Sequence, residues 1–381
     1  MRWLVDARPL ADAGCGGVGR VARCLTDALI RIASDDEIVL ATTGSTSATD
    51  ALPTGPNVHH IHLRVPNKLW SAACMTRLAS FDSTITATAY RLPPTASPPF
   101  DATFLPNLGF VGRMTRPYIL LLHDLSFLIE PRWFRPKARL WHRAVDATSQ
   151  IRNATHLLAV SETTKRDAMR LLDIPSDRIT VIPLGPTFNL PPVIPAKAGI
   201  QNPTDKLPSE KRYVLCLGAG DPRKNAATAV AAVAALRREA GFEDLELILV
   251  GTRYPVLGTR YAPWIRSLAH PTDLDLADLY RHASAFLYPS WYEGYGLPLH
   301  EAAAFGTPCI ASTAGALPET APPGTLFADP AKPHHWTEAL KLLLSSATRY
   351  PVPDTSNPRY TAQPWDESAR ILLAALRTVT H

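Results

Sequence analysis

This sequence of 381 residues has neither paired cysteines nor a CxxC motif. Its five cysteines, Cys15, Cys24, Cys74, Cys216 and Cys309, are odd in number and scattered. That pattern excludes a disulfide framework or a cysteine zinc site and points to a reducing compartment. No apolar run is long enough to cross a bilayer. The opening Met1-Arg2-Trp3-Leu4-Val5-Asp6 goes straight into a strand and gains a charge at once, unlike a signal peptide. These absences predict a cytoplasmic protein. No nucleic-acid motif accompanies the basic residues, so no nucleic-acid partner is expected.

The length suits two domains better than one core. The net charge of +5 lies entirely in the first half, since residues 1–190 carry 21 Lys and Arg against 16 Asp and Glu. Such a half suits an anionic partner, either a membrane surface or a phosphorylated acceptor, although a solvated surface would look the same. Strands are predicted at Arg2–Asp6, Glu37–Ala41, Val58–Leu63, Ala102–Leu105, Tyr118–Leu122, Leu157–Val160 and Ile179–Gly185. Helical patterns fall at Val21–Ile30 and Leu69–Leu78, and Ser161 caps another helix. Residues 186–210 are rich in Pro, Lys, Asn and Ser and read as a linker. The α/β pattern restarts at Tyr213–Leu217 and continues through Leu245–Val250, Ala285–Leu287 and Pro308–Ala311. The domains are therefore set at residues 1–185 and 211–360, with a final amphipathic helix in residues 361–381 expected to return to the first domain.

Three stretches carry chemistry. Pro222-Arg223-Lys224-Asn225 follows Gly218-Ala219-Gly220-Asp221 and opens a predicted helix at Ala226. Two cations beside a glycine turn and a helix N-terminus favour a diphosphate, because dipole, N–H groups and side chains all attract negative charge. Ala285-Phe286-Leu287 is followed by Tyr288-Pro289-Ser290-Trp291-Tyr292-Glu293-Gly294-Tyr295-Gly296-Leu297-Pro298-Leu299-His300-Glu301. Here Gly294, Tyr295, Gly296 and Leu297 allow close backbone approach to a ligand. Pro298 starts a helix that Gly306 ends. Glu293 and Glu301 can bracket a ligand and accept hydrogen bonds from its hydroxyls. Finally, Gly14, Gly16 and Gly19 match GxGxxG. A dinucleotide oxidoreductase is disfavoured, since the glycines come several residues after the strand and the next strand ends without a ribose-binding acid.

Glu, seven residues, Glu, with the embedded Glu-Gly-Tyr-Gly-Leu-Pro, resembles the signature of retaining glycosyltransferases of family 4. That resemblance covers nearly the whole chain and is most specific over residues 213–319. It implies an α/β fold of the GT-B type, with two Rossmann-like α/β/α domains facing each other across a cleft. It places Glu293 on the donor sugar, Glu301 on the nucleotide ribose, and Arg223 and Lys224, with Gly218, on the diphosphate. Gly16 and Gly17 would reach the donor phosphates, Gly251 and Thr252 would lie by the base, and His123 near the sugar. Asp124 would shape the acceptor side, or simply form a structural pair with His123. Some members carry an Arg after the first glycine, where this chain has Ala219.

The resemblance implies hexose transfer from a nucleotide sugar, with Glu293, His123, Arg223 and Lys224 as catalytic candidates and no cofactor or metal required. Asp273-Leu274-Asp275 matches the metal-binding DxD of the other major glycosyltransferase fold, but it precedes a helix and reads as a cap. Asp6-Ala7-Arg8-Pro9, Arg64–Lys68 and Asp124–Phe127 resemble bacterial mannosyltransferases of surface polysaccharide synthesis. They imply GDP-mannose as donor and a glycan or lipid-linked acceptor at the inner face of the cytoplasmic membrane. The basic, aromatic stretch Glu130–Arg143 fits peripheral contact with an anionic membrane, or a helix that packs its Trp residues inward. A sugar-nucleotide epimerase of the same fold and a noncatalytic nucleotide-sugar-binding protein are the alternatives.

Overall fold

The computed structural model describes residues 1–11, 16–45, 49–89, 100–185, 212–251, 262–269, 271–345 and 363–380. The expected linker at 186–210 and Thr252 lie outside them. The chain forms two compact units, Met1–Thr187 with Ala362–His381, and Phe188–Thr361.

The first unit is built on seven strands: β1 (Arg2–Asp6), β2 (Glu37–Thr43), β3 (Val58–Leu63), β4 (Ala102–Leu105), β5 (Tyr118–Leu122), β6 (His156–Ala159) and β7 (Ile179–Val181). Their order is β3-β2-β1-β4-β5-β6-β7, and every pairing is parallel. The central strands are apolar without alternation because helices cover both faces; all five residues of β5 are buried. β7 is shorter than its sequence suggests. Ile182 makes one more hydrogen bond to Ala159, and Pro183, which lacks an N–H, ends the ladder.

The helix Gly16–Ile32 begins five residues earlier than its apolar periodicity indicates. Gly16 and Gly17 are therefore its exposed first turn, not a separate loop. Gly16 takes φ +54 and a Cβ there would meet nothing within 4 Å, so the glycine serves backbone conformation and not packing. Further along, Val21, Leu25, Ala28 and Leu29 form the buried face. The helix Gln363–Thr378 packs beside it, burying Ala369, Leu372 and Leu376. Ion pairs close both ends of this contact: Arg31 with Asp366 at 2.7 Å and Arg377 with Asp36 at 2.9 Å. Trp365 lies so close to Gly185 that a Cβ there would fall 2.5 Å from the indole Nε1.

The second unit has β8 (Tyr213–Leu217), β9 (Glu246–Val250), β10 (Ile265–Leu268), β11 (Ala285–Tyr288), β12 (Cys309–Ser312) and β13 (Leu326–Ala328). Their order is β10-β9-β8-β11-β12-β13, again with parallel pairing throughout. The two edge strands, β10 and β13, are too short and too polar or exposed to stand out in the sequence. Apolar side chains fill both faces of this sheet, with Ala229, Val233 and Trp336 on one and Leu279, Leu299 and Leu317 on the other.

Asp36 offers a pH test of the helix packing in the first unit. Burial works against its charged form, but hydrogen bonds from the Met1 amino group and Arg377 outweigh this and hold its carboxyl below the usual range. A depressed folded pKa gives stability that is complete above the ordinary carboxylate pKa and is lost as pH falls through the folded value. Asp36→Asn therefore lowers the melting temperature at neutral pH, and the gap from the parent narrows on acidification. Thermal melts across the acid range check this; a gap that stays constant with pH refutes it.

Candidate functional site

In the second sheet the chain leaves β8 toward β9 on one side and leaves β11 toward β12 on the other. The loops after β8 and β11 thus part at a switch point, which opens a crevice at the carboxyl ends of these strands. Gly218 takes φ +79 there, and a Cβ on it would fall 2.5 Å from Lys224 Cγ. Only glycine lets the Lys224 stem lie across this turn. Asp221 Oδ1 accepts from the Arg223 N–H at 2.9 Å and starts a single 3-10 turn, Pro222–Lys224.

The helix that follows runs Ala226–Leu236. Arg223 and Lys224 precede it in their own turn, and the helix starts at Ala226 as the sequence suggests. Asn225 causes the break. It is buried at φ +52, and its amide donates to Pro289 O at 3.0 Å and to Pro330 O at 2.9 Å. These bonds hold the left-handed conformation that Asn tolerates and tie the turn to the segments after β11 and β13. The Trp291 N–H donates to Arg223 O at 2.8 Å and completes the tie.

Glu293 is buried beside the two cations. Lys224 Nζ lies 2.7 Å from its Oε1 and Arg223 Nη1 lies 3.8 Å from its Oε2. Burial alone would raise the Glu293 carboxyl, but Lys224 and then Arg223 overcome it and hold the pKa below the usual range. Lys224 Nζ also donates to Tyr288 Oη at 2.6 Å and lies 4.7 Å from that ring's centroid. Burial, and then the Glu293 carboxylate, push the Tyr288 phenol well above its ordinary range, so it stays protonated. Asp221 Oδ2 also lies 3.4 Å from Arg223 Nη2, so the two cations sit between two carboxylates, one buried and one partly exposed.

The Glu293 backbone is gripped from the segment after β12. Ala316 N–H donates to Glu293 O at 2.9 Å, and Gly315, at φ +62, sits where a Cβ would fall 2.6 Å from that oxygen. Gly296, at φ +102, precedes the helix Leu297–Ala304, with Pro298 in its first turn. Phe305 and Gly306, the latter at φ +77, close that helix. Glu301 is buried on it and accepts from Tyr280 Oη at 3.1 Å. Tyr295 stacks on His300 at 5.0 Å, and Thr320 Oγ1 donates to its carbonyl. Gly294 belongs to the same turn. Gly251, after β9, takes φ +133, and a Cβ there would press on Ala219 N at 3.0 Å. Of the residues singled out in this half, Gly218, Arg223, Lys224, Glu293, Gly294, Tyr295, Gly296, Leu297 and Glu301 all fall in the segments after β8 and β11. Gly251 joins them through its packing on Ala219.

Comparison with known proteins matches residues 15–186 to the family described as Glycosyltransferase Family 4 and residues 211–346 to that described as Glycosyl transferases group 1. The chain belongs to the family-4 glycosyltransferases. It is 32% identical to O-antigen chain mannosyltransferase B of Escherichia coli over 244 residues, 59% of this chain and 60% of that protein. It is 31% identical to an MMP alpha-(1->4)-mannosyltransferase of Mycolicibacterium hassiacum over 201 residues, 50% of this chain and 46% of that one. The matched stretch thus spans less than two thirds of either relative. Among solved structures it resembles HepE of Anabaena in complex with UDP and glucose, at TM-score 0.62 and 15% identity, covering 98% of this chain and 99% of that one. A UDP-forming alpha,alpha-trehalose-phosphate synthase of Burkholderia vietnamiensis gives TM-score 0.63 at 14% identity, covering 100% and 97%. These likenesses establish the GT-B fold class of two Rossmann-like α/β units.

The remaining candidates of this family-4 chain lie in the first unit. His123 follows β5, where Nε2 meets Pro106 O at 2.9 Å. A carbonyl only accepts, so Nε2 carries the proton and Nδ1 is left as the acceptor. Burial lowers the His123 pKa, outweighing the Pro106 carbonyl and Asp124, and keeps the ring neutral. Asp124 Oδ1 instead accepts from Ser126 N at 3.0 Å and Ser126 Oγ at 2.6 Å, starting the short helix Ser126–Ile129. Asp275 is committed to a capping box with Thr272, as a helix-cap reading of the DxD requires. In the basic, aromatic segment, the helix Pro136–Ala144 buries none of its residues; Leu140 is 67% and Trp141 37% exposed, and the Trp141 ring meets Phe110 edge-on at 6.4 Å.

Sequence reasoning missed Tyr280 as part of the site and gave no role of their own to Asn225 and Tyr288. Asn225 stood inside a recognised motif, and its polar amide next to a predicted helix start was the available signal. Tyr288 likewise opens a recognised stretch, whereas nothing local marks Tyr280, whose partner Glu301 lies 21 positions on.

Two stability tests follow. Lys224→Met strands a buried carboxylate and costs about 3–5 kcal/mol; adding Glu293→Gln returns most of that loss in urea unfolding. A double variant no more stable than Lys224→Met contradicts the pairing. Gly315→Ala costs about 1–3 kcal/mol more than Gly241→Ala. Gly241 has φ +87 with nothing within 4 Å of a Cβ, so it isolates backbone strain from the collision with Glu293.

Proposed function

We propose that this chain transfers mannose from GDP-mannose, with retention at the anomeric carbon, to a glycan or lipid-linked acceptor in cell-surface polysaccharide synthesis. The observation that carries the reading is the Arg223–Lys224–Glu293 cluster at the switch point of the second sheet. The leaving group of such a reaction is a nucleoside diphosphate, so the main catalytic task is to stabilise charge developing on phosphate. Arg223 and Lys224 supply positive charge from a turn that Asn225 and Gly218 hold rigid. The N-terminus of the helix at Leu297 adds N–H donors suited to the same phosphates. On this reading no metal and no bound cofactor is needed, and the nucleotide sugar is a co-substrate.

Glu293 is assigned to the hydroxyls of the donor sugar and Glu301 to the ribose. Gly251 and Thr252 are assigned to the base, and Gly294, Tyr295, Gly296 and Leu297 to backbone contacts along the donor. His123, neutral with Nδ1 as acceptor, suits a hydrogen bond from a sugar hydroxyl better than proton donation. Glu293 is held charged by two cations, which weakens it as a nucleophile. Same-face attack, with the departing phosphate oxygen taking the acceptor proton, is therefore the preferred course. Mannose as the sugar is supported by the names of the E. coli and Mycolicibacterium relatives. Peripheral contact with an anionic membrane is supported by Leu140 and Trp141, exposed among Arg135, Lys137 and Arg139. Among the described residues no helix is long and apolar enough to cross a membrane.

The test incubates the protein with GDP-, UDP-, ADP- and dTDP-sugars and follows diphosphate release and sugar products. Slow release from GDP-mannose is expected, with Lys224→Ala lowering the rate about 100- to 1,000-fold. Glu301→Gln weakens GDP binding about tenfold or more, the scale of a lost charge-assisted hydrogen bond. An altered sugar nucleotide without release would indicate an epimerase. Binding of no nucleoside diphosphate, by calorimetry, would overturn the donor-site assignment.

A further inference from the structure

The first unit contains a cavity of about 920 Å³ that the donor reading leaves unused. Its wall includes Tyr118, the first residue of β5, and Thr155, just before β6. It therefore reaches the amino ends of these strands, whereas His123 follows the carboxyl end of β5. His123 lies five positions after Tyr118, a rise of about 17 Å. The cavity is not the crevice at the strand carboxyl ends.

Four arginines line it: Arg77, Arg113, Arg116 and Arg143. Among the described residues, none of these guanidiniums has a carboxylate within ion-pair distance. Elsewhere arginines are commonly paired, as Arg8 is with Asp6, Arg132 with Glu130, Arg212 with Asp244 and Arg377 with Asp36. One acid, Asp146, shares the wall.

The backbone that presents them is braced. Buried Asp82 accepts from Thr115 N and Thr115 Oγ1, both at 2.7 Å, and from Arg116 N at 2.9 Å. Phe81 N–H donates to Val111 O at 2.8 Å. Gly112, at φ +65, lies so close to Ala79 that any Cβ would collide with its carbonyl. Arg77 itself is held at φ +60. On the far wall, Gln150 Nε2 donates to Gly109 O at 2.7 Å, and Tyr118 Oη donates to Gln150 O at 2.7 Å. The loops are fixed while the guanidinium heads have no acidic partner, which is the arrangement a preorganised anion site needs. Met75, Val111, Met114 and Pro117 supply apolar wall between the charges.

We propose that this cavity binds a ligand with two or more phosphoryl groups and an adjoining apolar portion, at a site separate from the Arg223–Lys224 turn. Guanidinium forks match phosphate oxygens in pairs, and four of them exceed what a single carboxylate ligand would use. The inference does not rest on the donor reading. The phosphoryl groups can come from a lipid headgroup or from a soluble phosphorylated molecule.

The experiment compares the full chain with Arg113→Gln/Arg116→Gln/Arg143→Gln. Inorganic pyrophosphate is titrated by calorimetry, and vesicles of equal parts phosphatidylglycerol and phosphatidylcholine are used in co-sedimentation. Any pyrophosphate held at the Arg223–Lys224 turn is untouched by these substitutions, so the difference reports the cavity. A control of equal charge change, Lys165→Gln/Arg166→Gln/Arg170→Gln, alters the helix Glu162–Leu172 and leaves both the cavity and the exposed helix Pro136–Ala144 intact. Unchanged melting temperatures establish that all variants fold. The cavity variant is expected to lose one equivalent of pyrophosphate, or to bind vesicles at least tenfold more weakly than the control does. The first result identifies a soluble ligand and the second a lipid headgroup. Pyrophosphate binding identical in parent and cavity variant, together with vesicle binding that the control weakens equally, would overturn the proposal.

Discussion

A carboxylate taken out of water needs compensating charge, and the second unit is arranged around that requirement at Glu293. Lys224 at 2.7 Å and Arg223 at 3.8 Å provide it. Neither cation comes from the segment that carries Glu293; both come from the turn after β8. The ion pair therefore joins the segments after β8 and β11, the two strands between which the sheet changes direction. The constraint propagates outward. Lys224 lies over its turn because Gly218 has no Cβ, and the turn keeps its shape because the Asn225 amide spans Pro289 O and Pro330 O. Glu293 keeps its backbone position because Gly315 and Ala316 close on it.

Such an arrangement has a chemical consequence. The buried ion pair is a weak source of net stability, because desolvation offsets much of the attraction. Its value lies in holding charge in place before a ligand arrives. Lys224 is held by Glu293 and Tyr288, and Arg223 lies between Glu293 and Asp221, so both cations are fixed in position. Electrostatic stabilisation of a leaving phosphate is most effective when the charges need no reorganisation at the moment of reaction. Tyr288, kept protonated beside Glu293, and Tyr280, donating to Glu301, extend the same preorganisation to both carboxylates.

Much of this could be read along the sequence, and the limits follow from range. Strands such as Tyr118–Leu122 were legible because burial on both faces leaves an unbroken apolar run. The site motifs were legible because glycine, proline and charge sit within a few residues of one another. The left-handed conformation of Asn225 was not, because the bonds that force it come from residues more than sixty positions away. Gly315 gives no local sign of its purpose, since the backbone it accommodates belongs to Glu293. The early start of the helix at Gly16 was hidden for the opposite reason: glycine-rich first turns carry no apolar periodicity to detect.

The first unit follows a different electrostatic logic. At the carboxyl end of β1, Arg8 is fully engaged, with Asp6 at 2.6 Å, the Phe110 carbonyl, and the faces of Trp70 and Phe81. Phe110 O also accepts from Trp70 Nε1 at 2.8 Å, so one carbonyl anchors the start of the loop that continues to Arg113 and Arg116. The same loop thus begins at a saturated cation and ends at cations with no acidic partner. Guanidiniums crowded around one cavity repel each other, and nothing in folding requires them to gather there. Asp82 spends its oxygens on Ser80, on the Ser83 amide and on the Thr115–Arg116 turn, and none on an arginine head. A buried acid used to shape the loop, with its cations left facing open space, places the unit's unspent charge where an anion from outside the chain can reach it.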